Sequence, residues 1–247
     1  SKSGLDEGDF VMVAGYPGST SRYAMLAEVE NTFGWEYPTF QKLLTDWIGT
    51  IEAAAPEGSD ARVKYEARLA GLNNYEKNLR GQIEGARRVG LIERRREREA
   101  ALADWIAADP SRAAYGPAID NLAELSQESA TAARTSFWYG NATRAQLLSV
   151  AQRLYRLAKE REKPNAQRES GYQERDMAFF RQGLQALDRR YDPSVDKAEW
   201  ELFLNGYLAQ PQAERVAVFD NALGLTGVDD AKQLDAILNG YYANTSL

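Results

Sequence analysis

Histidine and cysteine are both absent from the 247 residues of this chain. Without them the chain cannot form a disulfide, a thiol nucleophile, a Cys/His zinc site or the serine-histidine pair of many hydrolases. Chemistry of those kinds would have to come from outside the chain. These kinds of site are therefore excluded within the chain, and we predict no metal site and no cofactor for it.

An excess of positive charge is also missing. The chain has 30 Lys and Arg residues against 36 Asp and Glu residues, a formal net charge of -6. Nucleic acids and anionic membranes are bound by clustered positive charge, so neither is expected as the main partner. The longest apolar run covers only residues 10–14, far short of the roughly 20 residues that cross a bilayer. No membrane span is predicted.

A single β-prone segment lies near the start of the chain. Residues 9–14, DFVMVA, follow Gly8 and precede Gly15, Pro17 and Gly18, which predicts one strand and a turn. A strand needs a partner for its backbone hydrogen bonds, and the sequence offers none. We therefore expect the rest of the sheet to lie outside this chain. Since the chain opens without methionine, it is expected to be a fragment.

From Tyr23 onward the apolar residues recur at spacings of three and four, which is typical of helices. Two helices are predicted before residue 51, interrupted by GWEYP at residues 34–38 because proline disfavours a helix interior. A long helix is predicted over residues 59–88, and further helices follow to residue 243. The fold class expected is mainly α, an irregular helical bundle or lid.

Seven consecutive charged residues, ERRRERE, occupy residues 93–99. Four arginines could indicate nucleic-acid binding, but three glutamates lie among them. The alternative is a solvated or domain-bridging helix turn with i to i+4 pairs such as Arg95 with Glu99.

The helix predicted over residues 59–88 has two different faces. One face carries apolar residues and is expected to pack: Tyr65, Leu69, Leu72, Leu79, Ile83 and Ala86. The opposite face, here called the asparagine–glycine face, carries small and amide residues: Ala67, Gly71, Asn74, Asn78, Gly81 and Gly85. Each glycine costs a helix about 1 kcal/mol relative to alanine, so a compensating role is expected. Either another element packs closely on this face, or the face binds a ligand.

Six segments together resemble one enzyme family: DFVMVAGYPGSTSRY (9–23), VENTFGWEYP (29–38), KYEARLAGLNNYEKNLRG (64–81), RRREREAAL (94–102), ESGYQERDMAFFRQGL (169–184) and LDRRYDPSVDKAEW (187–200). They resemble the bacterial serine dipeptidyl-peptidases of the dipeptidyl-peptidase 7 and dipeptidyl-peptidase 11 type. In that family a helical domain is inserted into a chymotrypsin-like β-barrel, covers the cleft and helps to bind the free N-terminus of the substrate.

The resemblance implies that residues 1–22 end a barrel segment and that residues 23–247 form the inserted helical domain, incomplete at its C-terminus. It implies that the catalytic histidine, aspartate and serine lie outside this chain. The family's substrate-binding asparagine falls on Asn74 as first choice, with Asn78 and the adjacent Asn73 as alternatives. A hinge is expected at Gly15, Pro17 and Gly18.

The same resemblance implies a periplasmic or cell-surface homodimer that releases dipeptides from peptides with a free N-terminus. The preference for the residue before the cleaved bond is not readable from these segments. The competing hypothesis is a stand-alone helical binding or scaffold module without chemistry. A histidine upstream and a serine motif downstream would distinguish the two.

Overall fold

The computed structural model describes residues 4–12, 15, 24–227 and 231–243, apart from the side chains at 188 and 231. The prediction of a mainly α fold is confirmed over these residues. Ten α-helices lie within the described ranges. They are α1 (Leu26–Asn31), α2 (Tyr37–Ala54), α3 (Asp60–Arg88), α4 (Leu91–Ala107), α5 (Tyr115–Ala142), α6 (Gln146–Arg161), α7 (Met177–Gln185), α8 (Pro193–Leu208), α9 (Ala217–Leu223) and α10 (Ala231–Ala243).

The strand predicted at residues 9–14 is only partly covered. Residues 9–12 are exposed and take no strand conformation, and residues 13 and 14 lie outside the described residues. A strand is stabilised by hydrogen bonds to a neighbour. The described ranges contain no strand that could pair with it, so the barrel strand stays a prediction.

The interruption predicted at GWEYP separates two α-helices as expected, but it takes the form of a π-helical segment rather than a break. Residues Thr32–Glu36 form a π-helical segment that joins α1 to α2, and the Tyr37 N–H donates to the Thr32 carbonyl, five residues back. A π-helical turn is wider than an α-helical one. The wider turn precedes Pro38, which has no N–H to donate and would crowd the carbonyl four residues earlier. The chain therefore passes Pro38 without leaving the helix.

One hydrophobic core lies between α2, α3 and α8. Its buried side chains are Leu43, Leu44, Trp47, Ile51, Ala55, Tyr65, Leu69, Leu72, Leu79, Val195 and Phe203. Within it Trp47 and Phe203 meet edge to face with ring centroids 4.8 Å apart, a favoured geometry for aromatic pairs. This core fixes α3 to the rest of the bundle.

Helix α8 also contributes to a second core, formed with the end of α5 and with α10. The buried members of this core are Ala142, Ala145, Trp200, Leu204, Tyr207, Leu225, Leu234 and Leu238. Trp138 of α5 lies so close to Gly206 that a Cβ added there would fall 2.4 Å from the indole ring. Buried on two sides, α8 is the central helix. A smaller cluster of Leu157, Met177 and Phe180 joins α6 to α7.

None of the helices within the described ranges has both the length and the apolar character that crossing a bilayer requires.

Candidate functional site

Helix α3 carries the candidate site, and its first turn is fixed by a local cap. The Ser59 hydroxyl accepts a hydrogen bond from the Arg62 N–H at 3.1 Å, which satisfies one of the unpaired donors of a helix start. Tyr65, Leu69, Leu72 and Leu79 are buried. The apolar face predicted from the sequence is confirmed at these four positions.

A buried ion pair attaches α3 to α8. Arg68 donates to both carboxylate oxygens of Glu199 at 2.9 and 2.8 Å, and the Trp47 indole N–H donates to the same carboxylate at 2.5 Å. The Glu199 side chain is only 2% exposed. Burial raises the pKa of Glu199, and the Arg68 and Trp47 contacts oppose that rise. Three helices are thus joined at this carboxylate, shortly before Asn74 along α3.

The asparagine–glycine face points away from both cores. Ala67, Gly71, Asn74, Asn78 and Gly81 are exposed. No neighbouring atom of the described chain lies within 4 Å of a Cβ built on Gly71, Gly81 or Gly85. Within the described residues, then, nothing packs against the glycines of this face. The packing element that could compensate for their helix cost is not found there.

The three candidate asparagines differ in their hydrogen bonds. Asn73 is half-buried and donates from its amide to the Leu69 carbonyl at 3.0 Å. Asn78 is exposed, and its side-chain oxygen accepts from Gln82 Nε2 at 2.6 Å. Asn74 is exposed and makes no side-chain hydrogen bond to the described part of the chain. Of the three, Asn74 alone has its amide oxygen and its amide NH2 both available to a ligand there.

The residues that follow Asn74 are attached to α2. The Tyr75 and Phe40 rings meet edge to face at 5.3 Å, and Glu76 accepts a hydrogen bond from Gln41 Nε2 at 3.0 Å. These contacts limit the rotation of α3 about its axis and so fix the direction in which Asn74 points. Tyr75 and Phe40 were not predicted as supports from the sequence. The position of the aromatic Tyr75 directly after Asn74 could have indicated such a support.

The predicted hinge is covered at one position only. Gly15 is exposed, and no neighbouring atom lies within 4 Å of a Cβ built on it. Pro17 and Gly18 lie outside the described residues. The hinge stays a prediction.

Comparison with known proteins gives matches along the whole chain. The sequence profile described as Peptidase S46 matches residues 1–247. The Asp/Glu-specific dipeptidyl-peptidase of Shewanella putrefaciens is 38% identical over 244 residues, which are 99% of this chain and 32% of that protein. The dipeptidyl-peptidase 7 of Porphyromonas gingivalis is 33% identical over 134 residues, 54% of this chain and 19% of that protein.

A further relative is the dipeptidyl-peptidase 7 of Porphyromonas endodontalis, which is 28% identical over 201 residues, 79% of this chain and 23% of that protein. The chain spans about a third or less of the length of these curated relatives. The profile match over every residue shows the relationship directly: this chain belongs to the Peptidase S46 family.

Proposed function

We propose that this chain is the helical part of a serine-type dipeptidyl-peptidase and that it covers the cleft of a catalytic β-barrel. Three named relatives are dipeptidyl-peptidases, and the chain spans a minor part of each. The absence of histidine means that at least the histidine of such an enzyme's triad would lie in the remainder of the protein, and the family resemblance implies the same of the aspartate and the serine. Residues 1–22 would end a barrel segment, and residues 23–247 would form the inserted helical domain.

Asn74 is the proposed contact for the substrate's N-terminal ammonium group. An exopeptidase that removes two residues must pair this charge, because a desolvated and unpaired ammonium costs several kcal/mol. The side-chain oxygen of asparagine accepts a hydrogen bond without adding a charge. The observation that carries this proposal is the exposed Asn74 side chain, with no partner in the described chain, on a helix fixed from behind.

Asn78 is the proposed neighbour or substitute, one turn further along α3. Its oxygen already accepts from Gln82, so it would have to exchange that partner before accepting from an ammonium group. Asn73 donates inward to Leu69 and is the least suited of the three. The glycines of the asparagine–glycine face would leave room for the peptide or for a loop of the barrel.

The test is the Asn74→Ala variant of the full-length enzyme. A hydrogen bond to a charged group contributes about 1.5 to 3 kcal/mol, so kcat/KM for dipeptidyl substrates should fall roughly 10- to 150-fold with little change in stability. The Asn78→Ala variant should show a smaller loss. Activity within about twofold of wild type in both variants would contradict the proposal and favour a packing surface.

The family resemblance also suggests a homodimer in the periplasm or at the cell surface. These features belong to the proposal for the whole enzyme. If the full-length protein releases no dipeptide from any peptide with a free N-terminus, the alternative of a helical scaffold without chemistry is favoured instead.

A further inference from the structure

A polar groove runs between the start of the helical region and α5. It encloses about 820 Å³ and is lined by Glu30, Asn31 and Trp35 on one side and by Glu124, Gln127 and Arg134 on the other. Trp35 belongs to the π-helical segment. Gly34 also lines the groove, and no neighbouring atom lies within 4 Å of a Cβ built on it. The backbone is therefore accessible from the groove at this position.

Arg134 is the basic side chain of this groove, and it has no carboxylate partner in the described part of the chain. Its guanidinium lies 5.0 Å from the centroid of the Trp35 ring, a cation–π contact that limits its conformational freedom. Two glutamates also line the groove. Glu30 forms an ion pair with Arg96 at 2.9 Å. Glu124 lies ten residues before Arg134 on α5, about 15 Å away along the helix. The groove is thus basic at one end and acidic at the other.

A series of aromatic contacts joins the basic end of the groove to Tyr75, the residue that follows Asn74. Tyr75 contacts Phe40 at 5.3 Å, Phe40 contacts Phe137 at 5.7 Å, and Phe137 contacts Trp35 at 5.7 Å. At 3.3 to 3.6 Å per residue, about five residues of extended peptide span these three steps end to end.

We infer that this groove binds the part of the substrate that follows the cleaved bond and favours an acidic side chain beside Arg134. The inference rests on the proposed function, in which Asn74 binds the ammonium group. The first two substrate residues lie before the cleaved bond, so the groove would meet the residues from the third onward. The amide side chains of Asn31 and Gln127 suit the backbone of an extended peptide, because each offers both a donor and an acceptor. Glu30 and Glu124 would favour a basic residue further along.

The test compares hexapeptides that share their first two residues and carry Glu, Ala or Lys at residues four and five. Wild-type full-length enzyme should cleave the Glu peptide with the highest kcat/KM. Arg134→Gln should lower the ratio of kcat/KM for the Glu peptide to kcat/KM for the Ala peptide by roughly two- to fivefold, the effect of losing one exposed charge pair. Arg134→Glu should invert the order, so that the Lys peptide is preferred. Arg175→Gln is the control, because Arg175 is a 73% exposed arginine outside this groove, and all ratios should stay unchanged.

Two results would overturn the inference. One is an unchanged Glu to Lys ratio in the Arg134→Glu enzyme with a normal melting temperature. The other is an equal fall in the kcat/KM of the Arg134 variants for all three peptides and for a chromogenic dipeptidyl reporter. Because the reporter has no residues after the cleaved bond, that result would assign Arg134 to a contact with the rest of the protein. If the wild-type enzyme fails to cleave the reporter as well as the peptides, the proposed function itself is refuted.

Discussion

Glu199 joins three helices through one carboxylate. It accepts from Arg68 of α3 and from Trp47 of α2 while lying on α8. Replacing it with alanine would leave the Arg68 charge and the Trp47 N–H without their partner. Arg68 is one-third exposed, so water compensates part of its lost partner. The free energy of unfolding should therefore fall by about 2 to 4 kcal/mol, less than for a fully buried pair. Urea unfolding of the 247-residue chain, followed by tryptophan fluorescence, measures this.

Two variants act as controls for Glu199→Ala. Glu199→Gln keeps the volume and an acceptor oxygen, so it should cost less than the alanine variant. Glu84→Ala, at an exposed position of α3, should change the free energy of unfolding by no more than about 0.5 kcal/mol. If Glu199→Ala and Glu84→Ala are equally stable, the ion pair does not fix α3.

The candidate asparagines show how far residue-level prediction reaches. The apolar spacing places Asn74 and Asn78 on the face opposite the core, and the structure agrees. The periodicity could not distinguish their hydrogen-bonding states, because these depend on rotamers: Asn73 bonds back to Leu69 and Asn78 to Gln82. Those two contacts select Asn74 as the available amide.

At the level of the element, the glycines of α3 give a test of what they are for. Gly71→Ala should stabilise the isolated chain by roughly 0.5 to 1 kcal/mol, since alanine favours a helix and no neighbouring atom blocks a Cβ there. In the full-length enzyme the same methyl group should lower kcat/KM if a peptide or barrel loop lies against this face. Thermal melting and dipeptide release measure the two effects.

Gly49→Ala is the matched control for Gly71→Ala. Gly49 is an exposed glycine inside α2, and a Cβ built on it also meets open space. Its substitution should raise stability similarly and leave activity unchanged. A Gly71→Ala enzyme that is both more stable and fully active would mean that function does not require a glycine at position 71.

Helix boundaries were predictable where local signals decide them. A helix was predicted over residues 59–88, and the structure has it at Asp60–Arg88 with Ser59 as its cap. The join between α1 and α2 was not predictable from local rules, because the π-helical turn at Thr32–Glu36 accommodates Pro38. Phe40 and Trp35 pack on Phe137 of α5. This contact joins segments about 100 residues apart, so the spacing of apolar residues within either segment could not predict it.

At the level of the whole molecule, the proposed lid should close over a bound peptide. An inserted domain is connected to its host by two chain crossings, and Gly15 with Pro17 and Gly18 is the predicted hinge at the first. Small-angle scattering of the full-length enzyme should therefore show a smaller radius of gyration when a dipeptide is added. An unchanged radius at saturating dipeptide would count against closure.

The isolated 247-residue chain should be inert towards peptides, because an activated serine and an oxyanion hole would lie elsewhere in the enzyme. Circular dichroism should show mostly helix, in keeping with the ten helices described. Hydrolysis of a dipeptidyl reporter by the purified chain, persisting after repurification and treatment with serine reagents, would be incompatible with this division of roles.

Asn74 is proposed to bind the ammonium group of the substrate. A crystal structure of the full-length enzyme with a product dipeptide tests it most directly. The dipeptide nitrogen should lie about 2.7 to 3.0 Å from the side-chain oxygen of Asn74, the distance of a charge-assisted hydrogen bond. A dipeptide whose ammonium is bound by other residues, with Asn74 packed against another part of the enzyme, would contradict it.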